Sequence, residues 1–283
     1  MSTVSVPSEL LGLAARALPK VELSQATLAR GEFHDVVLIA DLAAIRVTRT
    51  AEAADLLPRR VELLHRLSEL GLPFAVPRPL ADVVEWNGRC AVALSWIPGR
   101  PAATASPAAL RDLLKALALV SPSTLGDALD VAHSYAGRTD WEALMIHQAM
   151  PLLPDRHRTR ARESMEKILA APAVTPGLVH GDLTGANLHW DESGRLLGVL
   201  DWDLACTFDP ALDVACLGSF GWANVGHAVD ADSYLRAKLW ASIFPLEWIV
   251  SALLTPGAAV QVRVDQASRW FDEHPDAGSF ERE

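Results

Sequence analysis

Cysteine is scarce in this chain: Cys90, Cys206 and Cys216 are the only three among 283 residues. An odd number without a CxxC spacing argues against a disulfide frame and against a zinc knuckle. It leaves buried thiols in a reducing compartment, the cytoplasm, as the expectation. Positive charge is also short. With 25 Lys and Arg against 35 Asp and Glu, the formal net charge is -10, which argues against a nucleic acid partner and favours a cationic small molecule, although an acidic surface that only maintains solubility explains the balance equally well. No uncharged apolar run reaches the roughly 18 residues of a membrane span, so no membrane partner is expected. The opening MSTVSVPSELLGLAARALPK carries Glu9 and no basic segment leading into an apolar one, so it reads as an amphipathic helix rather than a secretory signal. GxSxG, HExxH and GxxxxGK[ST] are missing as well, which argues against a serine-hydrolase elbow, a zinc hydrolase and a P-loop enzyme.

Half of the residues are apolar, and the length suffices for one large domain or two lobes. After the first helix, ATLARGEFHDVVLIADLAAIRVTRT alternates β-branched runs broken near Ala40 and Asp41, the pattern of consecutive antiparallel strands. AEAADLLPRRVELLHRLSELG then reads as a helix with Pro58 in its first turn and Gly71 as its stop. FAVPRPLADVVEW and CAVALSWI read as two further strands joined at Asn87-Gly88, a strong hairpin signal. Beyond PGRPAATASPAAL the character changes. Ser106-Pro107 caps a helix to about Val120, and helical patterns follow in WEALMIHQAMPLL, RHRTRARESMEKILAA, DADSYLRAKLWASIF, EWIVSALL and AAVQVRVDQASRWFDE. Between them, GLVHGDL and RLLGVLDWD are short apolar runs ending in polar residues, separated by the turn DESGR. The expected fold is α+β and bilobal: residues 1–98 form a small antiparallel sheet with one main helix and a hinge strand, and residues 99–283 form a larger, mostly helical lobe with a β insert.

The polar residues cluster in HGDLTGAN, residues 180–187. This fits the HxDLxxxN spacing of a kinase catalytic loop, with glycine where arginine usually stands. Phosphoryl transfer asks the protein to hold a hydroxyl in line with a γ-phosphate and to hold the ions that neutralise phosphate charge. Asp182 suits the first task as base, while Asn187 and the strand-end Asp201 supply hard oxygens for Mg2+. His180 is assigned to support of the loop. Singly, each of these is as well explained by a turn or a cap; in this order and spacing the functional reading prevails.

The first lobe then has to hold the nucleotide, ATP or GTP. Arg46 in AAIR stands where VAIK has its lysine, with Arg49 as the runner-up, and Glu62 on the following helix is the acid expected to pair with that cation. Gly31 in ARGEFHD marks the phosphate-covering turn, without a full GxGxxG. Ser95, Trp96 and Ile97, at the lobe boundary, are placed to meet the base, and Trp202 is expected in the core.

At these residues the chain resembles the aminoglycoside phosphotransferase family, small-molecule kinases with a protein-kinase-like fold. LVHGDLTGANLHW, GVLDWDLACTFDPALDVACLG and LPFAVPRPL carry the likeness, which covers nearly the whole chain. It implies Asp182 as catalytic base, Asn187 and Asp201 as magnesium ligands, and Asp213 as a buttress of the loop. Within the family, GEFHDVV, RTAEAADLLPRR and LPFAVPRPL most resemble the branch that phosphorylates basic cyclic peptide antibiotics of the tuberactinomycin type, viomycin and capreomycin, as resistance enzymes do. Asp203, Asp209 and Glu142 are the carboxylates that such an acceptor implies. An aminoglycoside, macrolide or choline-like acceptor, or a pseudokinase, remains an alternative, and Arg46 in place of lysine is the departure that keeps the last one open.

Overall fold

The computed structural model describes residues 6–31 and 33–275. They group into two compact units. One comprises Met1–Ala102, Ser123–Leu129 and Ala186–Trp202; the other comprises Ala103–Pro122, Asp130–Gly185 and Asp203–Glu283.

In the first unit, β1 (Thr27–Arg30), β2 (His34–Ile39), β3 (Ala43–Thr48), β4 (Val84–Trp86) and β5 (Arg89–Ser95) form an antiparallel sheet in the order β1-β2-β3-β5-β4. Side chains alternate across a strand, so Val37, Ile45, Val47, Ala91 and Ala93 share one face. Helix α1 (Ser8–Ala17) covers it with Leu10, Leu13, Ala14 and Ala17. Each large side chain removed from water there contributes about 1.5–3 kcal/mol. Arg46 lies between Ile45 and Val47 in the alternation, and so belongs to the opposite face.

Helix α2 (Ala51–Glu69) begins at Thr50, whose hydroxyl accepts the Ala53 N–H at 3.1 Å. That cap moves Pro58 from the expected first turn into the helix interior. An interior proline costs about 3 kcal/mol, and burial of Leu57, Leu63, Leu64 and Leu67 offsets it. The helix ends at Gly71 in the left-handed region, φ 65°, as its sequence suggested. The run 74–86 keeps only its last three residues as a strand, because Pro77 and Pro79 cannot donate to a ladder. Ala75 and Pro79 survive as isolated bridges, while Asn87 and Gly88, at φ 52° and 72°, make the expected hairpin turn.

The apolar runs around 180 and 198 do not pair with each other. Strand β6 (Gly177–Val179) pairs with β9 (Cys206–Phe208), and β7 (Leu188–Trp190) pairs with β8 (Leu196–Val199). The β7–β8 hairpin groups with the first unit rather than with the residues beyond 98. Its backbone is tied there: the Ala75 N–H donates to the Leu197 carbonyl at 2.8 Å, the Val199 N–H to Ala75 at 2.9 Å, and the Arg100 and Trp190 amides exchange hydrogen bonds.

The second unit is helical. It holds α3 (Pro107–Ala118), capped by Ser106 as expected, α5 (Trp141–Leu144), α6 (Asp155–Ala170), α7 (Ala211–Cys216), α8 (Trp222–Ala228), α9 (Ala231–Leu254) and α10 (Val260–Glu273); α4 (Pro122–Leu125) bridges the division between the units. The two helical patterns around Pro245 are one continuous helix, α9, whose Trp240, Ile243, Leu246, Ile249 and Val250 are buried. Among the described residues, α9 is the helix long and apolar enough to cross a membrane by length and composition, and most of that span is buried inside its unit.

Candidate active site

The site residues divide between the two units. In the second unit, the loop leaves β6 at His180, which is fully buried. Asp213, on the first turn of α7, accepts the His180 N–H at 2.8 Å through Oδ2 and the Gly181 N–H at 2.9 Å through Oδ1. His180 Nδ1 in turn accepts the Asp182 N–H at 3.2 Å. The backbone entering Asp182 is thereby fixed from both sides, and Asp182 itself is partly exposed. Gly181 has φ 85°, and a Cβ there would stand 2.8 Å from the Leu204 carbonyl oxygen. That accounts for glycine where arginine is usual: neither the backbone angle nor the space admits a side chain.

Asp213 is 2% exposed. Burial pushes its pKa up to about 7, against the two backbone N–H groups that favour the carboxylate, with the charge of Asp182 pushing further up. The neighbouring thiols are inert by the same physics, burial raising Cys206 to about 12 and Cys216 well above the ordinary thiol range.

In the first unit, the Leu200 N–H donates to the Asn187 carbonyl at 2.8 Å, closing the β7–β8 hairpin so that Asn187 stands across from the residue before Asp201. Asp201 has φ 57° and an exposed side chain. Arg46 Nη2 lies 3.5 Å from Asp201 Oδ1 and donates to His34 Nδ1 at 3.0 Å. One carboxylate and one amide are hard oxygen donors, few in number and at one end of one hairpin. Such a donor set suits Mg2+, which completes its shell with water and phosphate. No group of three or more His, Cys, Asp or Glu able to hold a metal occurs among the described residues.

Other expected residues sit differently. Glu62 does not pair with Arg46; it is exposed and accepts Arg66 Nε at 2.7 Å one turn along α2. Arg49 donates to the Gly31 carbonyl at 2.8 Å, and the Gly31 N–H donates to the His34 carbonyl at 2.8 Å, so Arg49 clamps the β1–β2 turn. Glu32 of that turn lies outside the described residues. At the lobe boundary, the Ser95 N–H is taken by the Arg78 carbonyl, the Trp96 N–H by the Leu42 carbonyl, and the Ile97 carbonyl by His189 Nδ1, so these three groups hold the strand rather than a base. Trp202 is buried and donates to the Val199 carbonyl at 3.0 Å.

Asp209 is corrected from acceptor contact to framework. It is 5% exposed and accepts Arg236 Nε at 2.5 Å, Trp240 Nε1 at 2.6 Å and the Ala211 N–H at 3.0 Å. Asp203 is partly buried, and Glu142 is exposed at the start of α5. Sequence reading did not single out Tyr135, His133 and Glu247, which a buried hydrogen-bonded cluster joins. The one signal for it was an acidic residue inside the otherwise apolar EWIVSALL.

A model of the phosphotransferase enzyme family matches residues 26–248. Viomycin phosphotransferase of Streptomyces vinaceus is 30% identical over 233 residues, spanning 77% of this chain and 81% of that one. Among solved structures, the GDP and kanamycin complex of APH(2″)-IIIa is similar with a TM-score of 0.79 at 18% identity, covering 96% of this chain and 99% of that one. Macrolide 2′-phosphotransferase type I is similar with a TM-score of 0.69 at 22% identity, covering 95% and 98%. The structural likeness carries the fold, the expected protein-kinase-like α+β arrangement.

Proposed function

The chain belongs to the phosphotransferase enzyme family, and from that premise we propose that it transfers the γ-phosphate of ATP or GTP to a hydroxyl of a basic antibiotic, a cyclic peptide of the tuberactinomycin type such as viomycin or capreomycin, and so confers resistance. The observation that carries the reading is the loop 180–187, whose backbone is locked by Asp213 two residues before the one carboxylate it presents. The 30% identity to viomycin phosphotransferase and the net charge of -10 support a cationic acceptor of that class.

In this reading Asp182 accepts the proton of the acceptor hydroxyl and orients its oxygen for in-line attack. The loop contributes by arriving in that position already ordered, because misplacement of about 1 Å can cost about a hundredfold in rate. Asn187 and Asp201 would hold Mg2+, which when bound would neutralise charge on the nucleotide's phosphates. Arg46 is the phosphate ligand of the first unit. A planar guanidinium fork binds phosphate oxygens in pairs, so arginine is a workable replacement for lysine there, and its contact with Asp201 keeps it beside the magnesium ligands. Free cysteines alone and a nucleoside triphosphate donor fit a cytoplasmic enzyme.

The test is mass-spectrometric detection of monophosphorylated viomycin or capreomycin after incubation with the enzyme, Mg2+ and either ATP or GTP. Product with a tuberactinomycin supports the assignment. Product with kanamycin or a macrolide alone would keep the reaction and replace the acceptor.

A further inference from the structure

The second unit contains a cluster that phosphoryl transfer leaves unexplained. Glu247, 1% exposed in the middle of α9, accepts His133 Nδ1 at 3.2 Å through one oxygen and the Tyr135 hydroxyl through the other. Among the described residues neither oxygen is paired with lysine or arginine, so this buried carboxyl is held by hydrogen bonds.

Aromatic rings surround the His133 ring that donates to this carboxylate. The Trp141 indole stacks on the His133 ring at 4.3 Å and 17°, Phe208 meets the same ring at 5.0 Å and 81°, and Trp240 lies 5.7 Å from it. The cluster has two sides. Trp141, Tyr135 and Phe208 are partly exposed, whereas Glu247, His133 and Trp240 are buried. Solvent therefore meets aromatic surface, and the negative charge stands behind it.

His133 carries two further marks. A carboxylate can only accept, so Nδ1 bears a proton. Nε2 is buried and has no hydrogen-bond partner among the described residues. Its backbone is left-handed, φ 55°, a conformation uncommon outside glycine and concentrated at binding sites. Buried polar atoms are normally satisfied, so an unmatched one calls for a role.

The cluster also belongs with the catalytic loop. Burial raises the Tyr135 hydroxyl well above the ordinary phenol range, and the carboxylates of Glu247 and Asp182 raise it further. Cys216 Sγ lies 4.0 Å from the Gly181 carbonyl.

We infer that Trp141, Tyr135, His133 and Glu247 form the subsite that takes a cationic nitrogen of the acceptor, an ammonium or guanidinium group. The indole face of Trp141 attracts the cation through its quadrupole, and Glu247 and Asp182 supply the negative field behind it. The inference rests on the phosphotransferase reading for the identity of the ligand, but the binding it asserts is measurable without turnover.

The experiment is calorimetric titration of viomycin, kanamycin and spermidine into the full chain and into its Trp141→Ala and Trp141→Phe variants, with nucleotide affinity and melting temperature as controls. At least one of the three cations should bind the native chain. Trp141→Ala should weaken it about tenfold and Trp141→Phe only about threefold, the order expected for loss and partial retention of a cation–π contact. Nucleotide affinity should stay unchanged, and both variants should still melt in one cooperative transition above the titration temperature. Binding to Trp141→Ala within twofold of the native chain would overturn the subsite, and so would a native chain that binds none of the three. Tight, Trp141-dependent binding without any phosphorylated product would leave the subsite standing and count against phosphoryl transfer to those acceptors.

Discussion

Asp213 holds Gly181 in place: the carboxylate Oδ1 accepts the Gly181 N–H at 2.9 Å while its other oxygen accepts the preceding N–H of His180. A buried carboxylate on one helix thus fixes the two residues before Asp182. Much of the pH and mutational behaviour of the protein should follow from that pairing.

The ionised Asp213 accepts two backbone N–H groups, and its pKa of about 7 puts the loss of that state near neutrality. Turnover should fall as pH drops below about 7, as one oxygen acquires a proton. Stability should move the other way. The folded-state pKa lies above the ordinary 3.8, so the folded chain binds the proton more tightly than the unfolded chain. The group therefore favours folding fully below about pH 4 and loses that contribution as pH rises to about 7. Asp213→Asn should flatten both profiles while lowering the rate about 10- to 100-fold, since its NH2 cannot accept. Turnover against pH and melting temperature against pH, on both proteins, check this.

Gly181 should tolerate no side chain. At φ 85°, with the Leu204 carbonyl 2.8 Å from where a Cβ would stand, Gly181→Ala has to shift the loop that carries Asp182. A drop of about a hundredfold in kcat with nucleotide affinity retained is expected, and steady-state kinetics with nucleotide titration measure both.

Gly198 of β8 packs so that an added Cβ would lie 2.3 Å from Ile97 Cγ2 and 3.0 Å from the Ala75 carbonyl oxygen. Gly198→Ala should destabilise the first unit by about 1–3 kcal/mol through overpacking. Urea denaturation, followed by tryptophan fluorescence, reads that loss as a lower midpoint.

Arg46 lies beside Asp201 and is anchored by His34. Arg46→Ala should raise the KM for magnesium-nucleotide about tenfold or more, with a smaller effect on the acceptor's KM, because a charge-assisted phosphate contact is worth about 1.5–3 kcal/mol. Arg46→Lys should recover part of it. Unchanged nucleotide KM in Arg46→Ala would remove Arg46 from phosphate binding.

What the sequence revealed and what it hid follow from the range of the interactions involved. The polar loop 180–187 after β6 and the turn at Asp201 after β8 were legible as local features of spacing, and the structure places both just past strand ends. The hairpin at Asn87-Gly88 and the cap at Ser106 were legible for the same reason. Pro58 misled because Thr50 caps α2 eight residues before the proline and buried leucines outweigh the lost hydrogen bond. Glu62 misled because an arginine one turn away, Arg66, captures it. Asp209 looked available for an acceptor, yet Arg236 and Trp240, distant in sequence, enclose it. The Glu247 cluster was hidden in the same way, as Glu247 lies more than 100 positions from His133 and Tyr135.

The role given to Asp182 is the centre of the account, and the most direct measurement is nucleoside-diphosphate release, with ATP and GTP separately, from the native chain and from Asp182→Ala across viomycin, capreomycin, kanamycin, a macrolide and choline. The native chain should release diphosphate with a tuberactinomycin, and Asp182→Ala should lose about 10²- to 10⁴-fold of that rate while still binding magnesium-nucleotide. Equal release from the two proteins, or none from the native chain with any acceptor, would contradict it.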